Sequence, residues 1–142
     1  MSNRINKRLN NQLSRFYTTN NQGKHIEKYV GLNRFELEKH IDKLLLPEMN
    51  RLNYGITWQL DHIVPVHLFD LSKEEDIKLC YNYNNLFPLL EKHNTHKGGS
   101  IHFSIDLLKS LPINETIVKL LTLLYKEKEQ YDQYLNINLL YK

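Results

Sequence analysis

A single cysteine, Cys80, stands in a chain of 142 residues. One thiol cannot close an intrachain disulfide, and it cannot build a zinc knuckle of two or four cysteines. It fits a reducing compartment. There are only five glycines and four prolines, and neither a low-complexity segment nor an internal repeat is present. No apolar run approaches the roughly 20 residues of a membrane span. The N-terminus lacks the apolar stretch of a secretory signal. Together these absences read as a soluble, intracellular protein.

Acidic residues are also scarce at one end. Residues 1–30 carry six basic residues (Arg4, Lys7, Arg8, Arg15, Lys24 and Lys28) against Glu27 alone, a net +5 that leaves −2 for the remainder of a chain of formal charge +3. A basic arm on a near-neutral body suggests an anionic partner, nucleic acid being the commonest; a solvated helix face is the bland alternative. The length fits one domain with an appended arm or helix, and a hydrophobic fraction of 41% is enough for a core.

Ile5, Leu9, Leu13 and Phe16 recur at helical spacing, predicting an amphipathic helix over 4–17 followed by a polar linker, Thr18 to Lys24. Asn33 with Glu36 three residues on predicts a capping box, and Phe35, Leu37, Ile41, Leu44 and Leu45 give that helix an apolar face ending at Pro47. Asn50 to Gly55 reads as a turn, and 56–66 as a strand or hairpin arm. Ser72 caps a short helix with Glu75. Asn84 to Leu90 reads as a second strand, where Pro88 marks an edge or bend. Residues 91–99 read as a helix stopped by Gly98 and Gly99. The last third is helical, with a stripe of Ile117, Leu120, Leu121, Leu124, Tyr131 and Leu135 that packs on the core or, as the weaker reading, forms a dimer seam.

Within this frame the stretch "WQLDHIVP", Trp58 to Pro65, is unusual. It sets Asp61 and His62 side by side in an apolar run, where an unpaired ionisable group is costly. A carboxylate and an amide oxygen suit a hard cation such as Mg²⁺. A neighbouring imidazole suits general-base work near neutral pH. Asn94 and Lys97, three apart, would share one helix face, where an ammonium could meet a phosphate.

The set "DHIVP…NNLFPLLEKHNTHKG" resembles the phage-type HNH endonucleases of the ββα-metal, or His-Me finger, group. The pattern W-x-x-D-H-I-x-P is matched by Trp58, Asp61, His62, Ile63 and Pro65. N-x-x-N-L-x-P-L is matched by Asn82, Asn85, Leu86, Pro88 and Leu89, and N-x-x-K-G by Asn94, Lys97 and Gly98. The likeness covers about residues 29–100. Each piece alone is weak; their order and spacing together make the likeness specific.

The resemblance implies an α+β, mainly helical fold: a ββα-metal core flanked by N- and C-terminal helices. The divisions are a basic arm (1–28), the nuclease domain (29–100) and a helical extension (101–142) packing on the core or on a second subunit. It implies a DNA endonuclease in which His62 is the general base, Asp61 and Asn94 hold one divalent ion (Mg²⁺, with Mn²⁺ or another ion as alternatives), and Asn85 braces the loop that orients His62. The implied ends are 5′-phosphate and 3′-hydroxyl. The implied partner is double-stranded DNA, with Lys97, which the motif shares, as a phosphate contact and a homodimer as one arrangement; by charge alone, Lys92 and Arg51, and Arg4 and Arg8 of the basic arm, are candidate backbone contacts with solvated surface as the alternative, and no membrane partner is expected. The chain departs from relatives with a His two residues before the Asp, having Gln59 there, and from those stapled by two C-x-x-C pairs, so no structural zinc is expected. The alternatives are a non-catalytic nucleic-acid-binding protein on the same scaffold and, ranked lower, a toxin-type nuclease domain.

His67, His93 and His96 read as loop or surface residues more readily than as ligands. Trp58 and Cys80 read as core, and Tyr81 and Tyr83 as half-buried. His25, His40 and His102 are assigned no role.

Overall fold

The computed structural model describes residues 2–19 and 23–91, together with Glu115, Thr116 and Lys119. The helix expected over 91–99, beyond Glu91 and with Lys92, Asn94 and Lys97, and the whole of the C-terminal stripe lie outside the described residues. Over what is described, the chain is α+β and mainly helical, with one two-stranded antiparallel sheet.

Helix α1, Ser2–Thr18, turns Leu9, Leu13, Phe16 and Tyr17 into the core. The chain then doubles back against it. Gly23 adopts φ +67°, and a Cβ there would lie 2.7 Å from the Phe16 amide nitrogen and overlap the Gln12 carbonyl. Only glycine fits both the left-handed backbone and the close approach. We predict that Gly23→Ala costs about 2 kcal/mol or more, read as a lower denaturant midpoint at unchanged slope. A midpoint like that of wild type would mean that the return is not this tight.

A 3₁₀ turn, Lys24–Ile26, leads into the single-turn helix α2, Glu27–Val30, which buries Tyr29 and Val30. Helix α3, Arg34–Asp42, starts at the expected capping box: Asn33 Oδ1 accepts from the Glu36 amide at 2.8 Å, and Glu36 Oε1 accepts from the Asn33 amide at 2.9 Å. It ends earlier than Pro47, because the Leu44 amide bonds the Ile41 carbonyl at 2.8 Å and tightens the last turn. Leu37 and Ile41 are fully buried, but Phe35 is not part of the apolar face. It is 64% exposed, with the Lys39 ammonium 4.6 Å from its ring.

The sheet pairs β1, Trp58–His62, with β2, Leu86–Leu90. The strand expected over 56–66 is thus only five residues long, since Ile63 to Pro65 bend away into a 3₁₀ turn at Val66–Leu68. Backbone bonds from Ile63 to Asn85 (2.8 Å) and from Glu91 to Thr57 (2.8 Å) fix the pairing phase. Leu60 and Pro88 therefore face each other as a non-hydrogen-bonded pair, and the missing proline N–H points away from the partner strand.

Between the strands lies α4, Glu74–Tyr81, which buries Ile77, Cys80 and Tyr81. Its N-cap is Lys73, one residue later than expected. The Ser72 hydroxyl is taken by Asp70 Oδ1 at 2.6 Å, and Asp76, inside the first turn, accepts the Asp70 amide at 2.7 Å. The Tyr29 hydroxyl ties α2 to α4 by donating to Glu74 at 3.0 Å.

One core cluster runs from Leu9 to Leu90. At its centre the fully buried Trp58 stands edge-on to Tyr54 (4.9 Å) and Tyr17 (6.0 Å), and its indole N–H donates to the Asn50 carbonyl at 2.7 Å. Burial of an aromatic with its polar handle satisfied is what lets an edge strand of this length hold its place. The basic N-terminal helix is thus part of the core as well as a charged arm. Among the described residues no helix is long and apolar enough to cross a membrane.

Candidate active site

His62 closes β1 opposite Leu86, and only 4% of it is exposed. Its Nδ1 lies 3.0 Å from the backbone carbonyl of Cys80, near the end of α4. A carbonyl only accepts, so Nδ1 carries the hydrogen, and in the neutral ring Nε2 is the basic nitrogen. The ring stands edge-on to Tyr81 at 4.7 Å and 82°. Strand, helix carbonyl and aromatic wall therefore hold one imidazole in one tautomer and one orientation.

Asn85, fully buried at the end of the 3₁₀ turn just before β2, organises the same point. Its Oδ1 accepts from the Val64 amide at 2.8 Å. Its Nδ2 donates to the Val64 carbonyl at 3.2 Å and to the Cys80 carbonyl at 2.9 Å. The side-chain amide extends the β1–β2 pairing past His62 and meets the same carbonyl as the imidazole. The Cys80 carbonyl is thus an anchor shared by the imidazole and the Asn85 amide.

Asp61 is half-buried, and its Oδ1 accepts from the His62 amide at 2.8 Å, which folds the carboxylate back along the end of the strand. A hard oxygen donor at that place suits a divalent cation. Among the described residues, however, no three His, Cys, Asp or Glu side chains gather around a metal position. A two-ligand site of the kind expected needs Asn94, which lies outside them.

Two residues at the site, Asn6 and Asn10, were not singled out in the sequence, and a third was given no role there. Tyr81, expected to be half-buried, is fully buried. Burial, with Cys80 and the Asp61 carboxylate nearby, holds its phenol well above the ordinary tyrosine range, so it stays a donor. That hydroxyl donates to Asn10 Oδ1 at 2.7 Å and lies 3.2 Å from Asn6 Oδ1. Asn10 Nδ2 donates to Asn6 Oδ1 at 2.9 Å, and Asn10 Oδ1 lies 3.5 Å from His62 Nε2. The available signal was positional: Asn6 and Asn10, four apart, flank the apolar stripe that docks α1.

Arg4, Lys7, Arg8 and Arg15 are all exposed on α1, which carries no acidic residue. From Arg4 to Arg15 the stripe is about 17 Å long at 1.5 Å per residue. Arg51 is placed differently from a simple phosphate contact. Its guanidinium pairs with Glu38 at 2.6 Å and Asp42 at 3.3 Å, while Arg34 pairs with Glu38 at 2.8 Å. His67 is exposed in the turn after β1. His40 packs edge-on to Tyr83 at 5.2 Å, and burial, with Lys43 nearby, pulls its pKa down.

No protein-family model matches the chain, and no solved structure matches it at a significant level. Two curated proteins of Acanthamoeba polyphaga mimivirus are similar to it. The uncharacterized protein L426 is 32% identical over 91 residues, which make up 62% of this chain and 40% of that protein. The uncharacterized protein L246 is 31% identical over 80 residues, 56% of this chain and 34% of that protein. The chain thus spans less than half the length of either of these relatives.

Proposed function

We propose that this protein is a metal-dependent DNA endonuclease of viral origin, with an HNH-type ββα-metal site that hydrolyses phosphodiester bonds. The observation that carries the reading is the His62 imidazole. Its Nδ1 is engaged by the Cys80 carbonyl, and that carbonyl is itself held by Asn85. A histidine kept only for packing has no need of a buried amide set on its own anchor. A general base does, because proton transfer depends on aim as well as on proton affinity.

In this reading His62 Nε2 takes a proton from water as the water attacks phosphorus from the side opposite the leaving 3′ oxygen. Asp61, with Asn94, would hold one divalent cation, which supplies Lewis-acid stabilisation of the charge that grows on the phosphoryl oxygens and the leaving group. The exposed basic stripe of α1 supports the same reading, since it offers duplex phosphates a sequence-independent attraction. The relatives' viral source suits a nuclease of this kind.

The test is supercoiled plasmid incubated with the full chain and Mg²⁺ or Mn²⁺, with and without chelator. Nicked or linear product that requires the metal, and that a ligase reseals without prior phosphatase or kinase treatment, is the expected result. Retarded DNA with no cleavage under either metal would sink the nuclease reading and favour a binding protein on the same scaffold.

A further inference from the structure

The Nε2 atom of His62 lies in a buried site, where α1 packs against the end of β1. It faces Asn10 Oδ1 at 3.5 Å, across from a helix outside the stretch that resembles the nuclease motif. With the ring hydrogen on Nδ1, Nε2 accepts hydrogen bonds and does not donate them, and an amide oxygen also only accepts. The orientation of the Asn10 amide is fixed from both sides. Tyr81 donates to its oxygen at 2.7 Å, and its nitrogen donates to Asn6 at 2.9 Å. Two acceptors at this separation are both satisfied by a single oxygen bearing two hydrogens, about 2.8 Å from each.

We propose that Asn10 is the second acceptor for the attacking water and so sets its direction. This rests on the nuclease reading and assigns that site a residue from the N-terminal helix. One hydrogen of the water points to His62 Nε2 and the other to Asn10 Oδ1, which turns a lone pair away from both, toward phosphorus. As the new oxygen–phosphorus bond forms, the first hydrogen passes as a proton to Nε2. The second stays on the oxygen and ends on the new 5′-phosphate. The phosphorus–O3′ bond breaks with its electron pair on O3′, which takes a proton from solvent. Asn6 and Tyr81 act through Asn10 as positioning residues. The docking of α1 thus completes the site in addition to bringing charge to it.

The experiment is single-turnover cleavage of supercoiled plasmid under saturating full-length protein, with DNA affinity measured separately. Asn10 is exposed, so its substitution leaves the core intact. Asn10→Ala and Asn10→Leu are expected to slow the cleavage step about tenfold to a hundredfold, the scale of a misdirected nucleophile, with DNA affinity unchanged. Asn10→Asp, which keeps an oxygen acceptor at the same reach, is expected to recover most of the rate. A merely structural role for Asn10 would not distinguish Asp from the near-isosteric Leu in the cleavage step. Wild-type cleavage that Asn10→Ala leaves untouched, or speeds up, overturns the proposal while the nuclease reading stands, provided His62→Ala is inactive. A wild-type protein that never cleaves overturns both.

Discussion

His62→Ala is expected to give a folded protein that still binds DNA and cuts it roughly 10²–10⁴-fold more slowly, the usual contribution of a positioned general base. The fold should survive because the carbonyl that holds the imidazole is not orphaned by its removal: Asn85 Nδ2 still donates to Cys80 at 2.9 Å. The loss includes packing against the Tyr81 ring and the hydrogen bond from Nδ1 to the Cys80 carbonyl, about 1–3 kcal/mol together. DNA affinity should hold because the basic side chains of α1 are exposed and are left in place by the substitution. The measurement is single-turnover plasmid nicking beside a denaturant melt and a gel-shift titration. Equal cleavage by His62→Ala and wild type would rule out His62 as the base, whatever the metal dependence.

The fold was legible where local chemistry decides it. The capping box at Asn33, the α1 stripe and the two strands follow from residue spacing, and the structure places each within a few residues of expectation. The misses have tertiary causes. Phe35 has the periodicity of a core residue, but it sits in the first turn of α3, beyond the reach of the core, and Lys39 covers it instead. Ser72 has the composition of a cap, yet Asp70, two residues earlier, competes for its hydroxyl. The site was half legible. Asp61, His62 and Asn85 stand out because polar groups in apolar strands need partners. Asn10 lies 52 positions from His62 and is one of several asparagines in a polar helix. Nothing local marks it, because its neighbour is set by how α1 docks. The Cys80 carbonyl is invisible to sequence reading for a further reason: a backbone group has no letter.

The second large effect falls on Asn85, and it separates two kinds of damage. Asn85→Leu keeps the volume but strips the Val64 amide and carbonyl of their partners in a site where Asn85 is fully buried. Leaving such groups unmet costs about 1–3 kcal/mol each, a large share of the 5–15 kcal/mol typical of a domain, so a low melting midpoint is expected at every pH. Asn85→Asp keeps the Oδ1 acceptor for Val64 and replaces the donor with a second oxygen aimed at the Val64 and Cys80 carbonyls. Ionised, that group faces two acceptors in a dry site. Protonated, it can donate as the amide does. Its folded pKa must therefore rise above the unfolded carboxylate value of about 3.9. A raised folded pKa means that the folded state holds the proton longer than the unfolded state does. The stability is then complete below the unfolded pKa and is lost as pH climbs through the folded one. Asn85→Asp should melt higher at pH 4 than at pH 8 relative to wild type under the same conditions, while Asn85→Leu should show no such slope. Cleavage, measured near neutral pH at a temperature where both variants remain folded, should fall in both, because the carbonyl that aims His62 has lost its second anchor. An Asp variant with no relative gain in acid would mean that Asn85 does not donate to those carbonyls, and the brace of the site would have to be sought elsewhere.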